Sequence, residues 1–145
     1  MQPVDIHLNL PADVFFLQII SCAVQTLVDF AGEVDDKESK CYAIQLAVQE
    51  AGVNVVKYAY ASEGIGSGTL KGRILVDLMY DPELHLICVE LSDQGASFDI
   101  SQINGPDLSK AHERGYGIFL MHSLMDSVEY TSCGSSNQWR LTKKI

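Results

Sequence analysis

The segment Ile6-His7-Leu8-Asn9-Leu10 alternates apolar and polar residues, the period-two pattern of a strand with one buried face. Pro11 and Asp13 predict a helix opening directly after it. Proline fits a first helical turn, and aspartate is favoured at the positive end of the helix dipole. Val14, Leu17, Ile20, Val24, Leu27 and Val28 then recur at three-to-four spacing, predicting a core-facing stripe that fades near Gly32. Asp35 and Glu38 stand at capping-box spacing and predict a second helix. Ile44, Ala47, Val48, Ala51, Val55 and Val56 carry it to about Tyr60.

The glycine-rich stretch 62–68 breaks that pattern. It follows a helix and precedes a strand, so a flexible connector is favoured over a phosphate cradle, which needs backbone N–H groups converging at a helix start. Segments 70–80 and 84–91 are rich in β-branched and aromatic residues around Asp81-Pro82 and predict an antiparallel hairpin. The polar stretch 92–113 is long for a loop inside a compact domain and reads as a lid. A helix over 115–125 and strands over 128–131 and 139–142, with a turn over 134–137, complete the chain. Helices unevenly spread among hairpins indicate an α+β two-layer sandwich.

A chain of 145 residues suits one domain spanning 1–145. No apolar run reaches the ~18 residues of a membrane span, and the start lacks a signal-peptide pattern, so a cytoplasmic protein with no membrane contact is expected. The net charge of −9, without a Lys/Arg run longer than Lys143-Lys144, argues against nucleic-acid binding. Cys22, Cys41, Cys88 and Cys133 stand far apart, as do the four histidines, leaving zinc and redox chemistry unsupported.

Three short constellations carry chemistry. Glu50 and Asn54 lie at i and i+4 on one face of the second helix, either as an exposed polar face or as oxygen donors suited to Mg²⁺. Asp93-Gln94-Gly95 follows an apolar strand, where it is either an ordinary turn or a carboxylate placed to accept from the amine of adenine. Arg114-Gly115-Tyr116-Gly117-Ile118 opens the third helix, where free N–H groups and an arginine suit phosphate. The P-loop pattern is absent, and Leu120 stands where a dinucleotide fingerprint needs glycine.

Together, Glu50-x-x-x-Asn54, Asp93-x-Gly95 and Gly115-x-Gly117 resemble the N box and two glycine boxes of the GHKL superfamily, which includes gyrase, histidine kinases and MutL. The wording around them is most similar to the bacterial anti-sigma-factor serine kinases typified by RsbW and SpoIIAB. The likeness runs through nearly the whole chain in order. It implies a Bergerat-type ATP-binding fold, with a mixed, mostly antiparallel sheet and three main helices. It also implies ATP and Mg²⁺ as cofactors, with Asn54 holding the metal and Asp93 fixing adenine beside Gly95. Gly115 and Gly117, between Arg114 and Ile118, would wrap the phosphates. Glu50 would serve as general base toward a serine hydroxyl, or orient it. Lys57 departs from the family's usual histidine and either reaches phosphate or sits in solvent. The lack of an upstream helix pair bearing a phospho-accepting histidine weighs against a sensor histidine kinase. The implied partners are a sigma factor and a small anti-sigma-factor antagonist, with the chain as a homodimer. The alternative is an ATP-binding protein-interaction switch without kinase activity.

Overall fold

Strict alternation along the strands decides which face of the sheet is covered. The computed structural model describes residues 1–60, 72–97 and 113–145. Strands β1 (Val4–Pro11), β2 (Arg73–Asp81), β3 (Leu86–Asp93), β4 (Ser127–Cys133) and β5 (Ser136–Lys144) form one sheet in the order β1-β2-β3-β5-β4. Ile74, Val76 and Leu78 of β2, Ile87, Val89 and Leu91 of β3, and Trp139 and Leu141 of β5 all point to one side and are buried. Asp5, His7, Asn9 and Arg73 point to the other, where they are exposed. All four strand pairings are antiparallel, so within the described residues the sheet is not the mixed one expected.

Helices α1 (Leu17–Phe30), α2 (Lys37–Asn54) and α3 (Glu113–Leu124) cover the apolar face, with α2 packed between the other two. Its central place explains its composition. Cys41, Ile44, Ala47, Val48, Ala51 and Gly52 are all buried, and the small residues let α1 approach closely. A Cβ on Gly52 would lie 2.7 Å from Leu17 Cδ2. The architecture is the expected α+β two-layer sandwich with three main helices.

Several local expectations are corrected. Pro11 ends β1 opposite Arg73 rather than opening a helix, which an edge strand tolerates. Asp13 caps a single 3₁₀ turn, Val14–Phe16, by accepting from the Phe15 N–H at 2.8 Å. The α-helix therefore starts at Leu17, and Val14 is 46% exposed instead of joining the stripe. The capping box is also not formed. The residue before α2 is Asp36, in the left-handed region at φ 53°, with no side-chain cap. The last turn narrows to Gly134-Ser135, with Gly134 at φ 62°, which moves Asn137 from the turn into β5. The Asp81 turn is as expected, with Oδ1 accepting from the Glu83 and Leu84 N–H groups at 2.9 and 3.1 Å. The glycine-rich stretch 62–68 lies outside the described residues, as does most of the predicted lid.

Ile44 is fully buried where α2 meets the sheet. Replacing it with alanine removes buried methyl groups and leaves a cavity, so Ile44→Ala lowers the unfolding free energy by roughly 2–5 kcal/mol in urea denaturation.

Candidate functional site

The inward-facing row of β3 runs Ile87, Val89, Leu91 and then, at the strand's end, Asp93. The row of β5 runs Leu141, Trp139 and then Asn137. Antiparallel register sets Asp93 opposite Asn137, and the β4–β5 pairing sets Ser132 opposite Asn137 in turn. Three polar residues thus cross three strands where the apolar rows stop. Ser132 Oγ donates to Asn137 Oδ1 at 2.8 Å, which orients the amide. Asn137 Nδ2 then donates to Asp93 Oδ1 and to the Gly95 carbonyl, both at 2.9 Å. The Gly95 N–H completes the set by donating to Asp93 Oδ1 at 2.9 Å. Asp93 is only 4% exposed. Burial pushes its carboxyl above the ordinary aspartate range, and the bonds from Asn137 and the Gly95 N–H partly oppose that shift.

The other half of the site comes from α2. The helix ends at Asn54 and continues as one π-helical turn, Val55–Ala59. Carbonyls at the end of a helical run lack intrahelical donors, and that of Ala59 accepts from the Ala96 N–H at 2.8 Å. The next residue, Tyr60, accepts at its hydroxyl from the Gln94 N–H at 3.1 Å. Gly95 between them lies so close that a Cβ there would stand 2.6 Å from the Ala59 carbonyl carbon, and rigid backbone cannot yield. Only glycine fits.

One helical turn before Asn54, the partly buried Glu50 reaches the third helix. A Cβ on Gly117 would lie 2.7 Å from Glu50 Oε2, so the missing side chain is what admits the carboxylate. Asn54 is 8% exposed, and its Nδ2 has no hydrogen-bond partner among the described residues. That leaves an unsatisfied polar group on the same helix face as Glu50, which has a real free-energy cost unless something occupies the place.

The structure therefore brings Glu50 against Gly117, and Asp93 and Gly95 against the helical turn that follows Asn54. Ile118 is a core residue, 5% exposed, and it stands beyond the first turn of α3, where its backbone N–H is used inside the helix, so it is not the ligand contact expected of it. Arg114 and Gly115 fall in the first turn of α3, and what surrounds them lies outside the described residues. Lys57 is exposed in the π-helical turn. Asn137 is a site residue that reading the sequence placed in a turn. Period-two counting back from Leu141 and Trp139 marks it as inward-facing. Tyr60 read only as a helix end. The cluster holds no group of three or more His, Cys, Asp or Glu among the described residues able to bind a metal by themselves.

This fold and site define a recognisable class. A family profile described as histidine kinase-like ATPase domain matches residues 18–143, and the chain belongs to that family. The serine-protein kinase RsbW of Halalkalibacterium halodurans is 36% identical over 137 residues, covering 88% of this chain and 76% of its own. RsbW of Bacillus pumilus is 32% identical over 133 residues, covering 86% and 76%. In fold, the chain resembles a solved structure of the RsbU and RsbW domains of a Mycobacterium tuberculosis protein, with a TM-score of 0.64 at 15% identity. That match covers 99% of this chain and 32% of the larger one.

The raised Asp93 value has a measurable consequence. The folded chain keeps this proton to higher pH than the unfolded chain does, so folding stability falls as pH rises from the ordinary aspartate value through the raised one. Asp93→Asn keeps an oxygen for Asn137 and the Gly95 N–H but has no charge to bury. Urea unfolding at a series of acidic pH values should show the variant gaining on wild type across that window. A difference that stays flat with pH would contradict the buried carboxyl.

Proposed function

We propose that residues 1–145 form one ATP-binding domain of an anti-sigma-factor kinase. It phosphorylates a serine on a small antagonist protein and sequesters a sigma factor. The observation that carries this reading is the Glu50 carboxylate lying against Gly117, on a helix whose far end is bonded to the Asp93–Gly95 loop. A base acceptor, a polar helix face and a glycine-bearing helix start then border one region. Family membership and the RsbW relatives supply the reaction class. Resemblance to those kinases supports a cytoplasmic homodimer. No helix among the described residues is long and apolar enough to cross a membrane.

The residues present fit a magnesium nucleotide. Turning the Asn54 amide exchanges its oxygen for the unpartnered nitrogen, offering the hard ligand atom that Mg²⁺ takes. Asn54 would hold the ion, which would supply neutralisation of phosphate charge and would need few protein ligands. Asp93 accepts from the exocyclic amine of adenine through Oδ2, the oxygen that Asn137 and the Gly95 N–H do not use. Gly95 allows the base to come close to the backbone. Gly115, in the first turn of α3, presents its N–H to phosphate oxygens with Arg114 supplying charge, while Gly117, past that turn, leaves room for the Glu50 carboxylate; the N–H groups of Gly117 and Ile118 are used inside the helix. Glu50 accepts the serine proton, or holds the hydroxyl in line, as the serine oxygen bonds to the γ-phosphorus. The bond from that phosphorus to its bridging oxygen breaks, and ADP leaves.

Two substitutions test the reading. Asn54→Ala abolishes the Mg²⁺-dependent part of ATP affinity in calorimetry, and an unchanged magnesium effect would discard the metal assignment. Glu50→Gln leaves ATP affinity near wild type and slows label transfer from γ-labelled ATP to a serine of the antagonist by ~10²-fold or more, the usual worth of a general base. If wild type binds ATP but transfers no label to any antagonist, the site works as an ATP-gated interaction switch instead.

A further inference from the structure

Tyr60 is 7% exposed, yet its hydroxyl is fully engaged. It donates to the Arg73 carbonyl at the start of β2 at 2.8 Å and accepts from the Gln94 N–H at 3.1 Å. Its ring lies against Gly72, where a Cβ would stand 2.8 Å from two ring carbons. One hydroxyl thus joins three segments: the end of the α2 run, the first residue of β2, and the residue that follows Asp93. The Gln94 peptide links directly to Asp93, so its position sets where the carboxyl group can point.

We propose that Tyr60 is a positioning residue for base recognition, acting through the Gln94 peptide to hold Asp93 at a fixed place relative to the Glu50–Asn54 face. This inference rests on the nucleotide reading above. The loop N–H groups support it. Gln94 is satisfied by Tyr60, Gly95 by Asp93, and Ala96 by Ala59. Removing the hydroxyl leaves one part-buried donor and one part-buried acceptor without that partner, and the loop carrying Asp93 is free to shift. The ring alone would still fill the slot beside Gly72, so the fold survives.

The test compares ATP with purine riboside triphosphate, which has the same ring and phosphates but no exocyclic amine, each with Mg²⁺ in calorimetry. Wild type should prefer ATP. Tyr60→Phe should weaken ATP roughly tenfold, the worth of one well-placed hydrogen bond, while changing the analogue much less. The preference then collapses toward one. Gly72→Ala, which displaces the ring from the opposite side, should reduce the same ratio. A purely structural tyrosine would weaken both nucleotides equally, and that result, or unchanged binding of both, overturns the proposal. Wild type that binds no ATP would remove the nucleotide reading itself. Wild type that discriminates, with both variants keeping its ratio, would remove only the role of Tyr60.

Discussion

The hydrogen bonds that Ala59 and Tyr60 accept from the backbone of Ala96 and Gln94 tie the helix layer to the end of the sheet. Apolar burial presses α2 onto β3 and β5, but that force is non-directional and leaves the helix free to slide by fractions of a turn. Directional bonds at the π-helical turn remove that freedom. Everything polar in the site is measured from this joint: Asn54 sits just before it, Glu50 one turn further back, and Asp93 just across it.

Beside the contact of Gly72 with the Tyr60 ring, close approach recurs at three further glycines, each with a different neighbour. Gly52 admits a leucine side chain of α1, Gly95 the rigid carbonyl of Ala59, and Gly117 a carboxylate. The first serves packing, and its flexible neighbour could adjust to a methyl group. At Gly95 the neighbour is backbone and cannot move. The third matters for chemistry, since a side chain at 117 would displace Glu50 rather than break the fold. Spacing alone makes the three look alike, and their surroundings separate them.

Strong periodicity made most of the architecture legible. The valine, isoleucine and leucine rows of β2 and β3 and the stripe of α1 are long enough to fix element type, and the Asx turn at Asp81 marks its hairpin. The misses are local competitions. Pro11 and Asp13 suit a helix start equally well as a strand end and a 3₁₀ cap, and only pairing with Arg73 decides between them. Glu50, Asn54, Asp93 and the glycines of α3 stand out in the sequence as candidates because each motif is short and local. Asn137 and Tyr60 were not, since their partners lie 44 and 34 residues away in sequence. The π-helical turn has no residue pattern that announces it.

The path along α2 also sets a length. Glu50 meets α3 at one end and Ala59 meets the Asp93 loop at the other, nine residues apart. At about 1.5 Å of rise per residue, this separation is roughly 13 Å, slightly less where the π-helical turn compresses it. The helix therefore works as a ruler. On the proposed nucleotide reading, a ligand that engages both ends would be elongated, with its aromatic end toward residue 59 and its anionic end toward residue 50, and a nucleoside lacking the chain of phosphates would touch one end and fall short of the other.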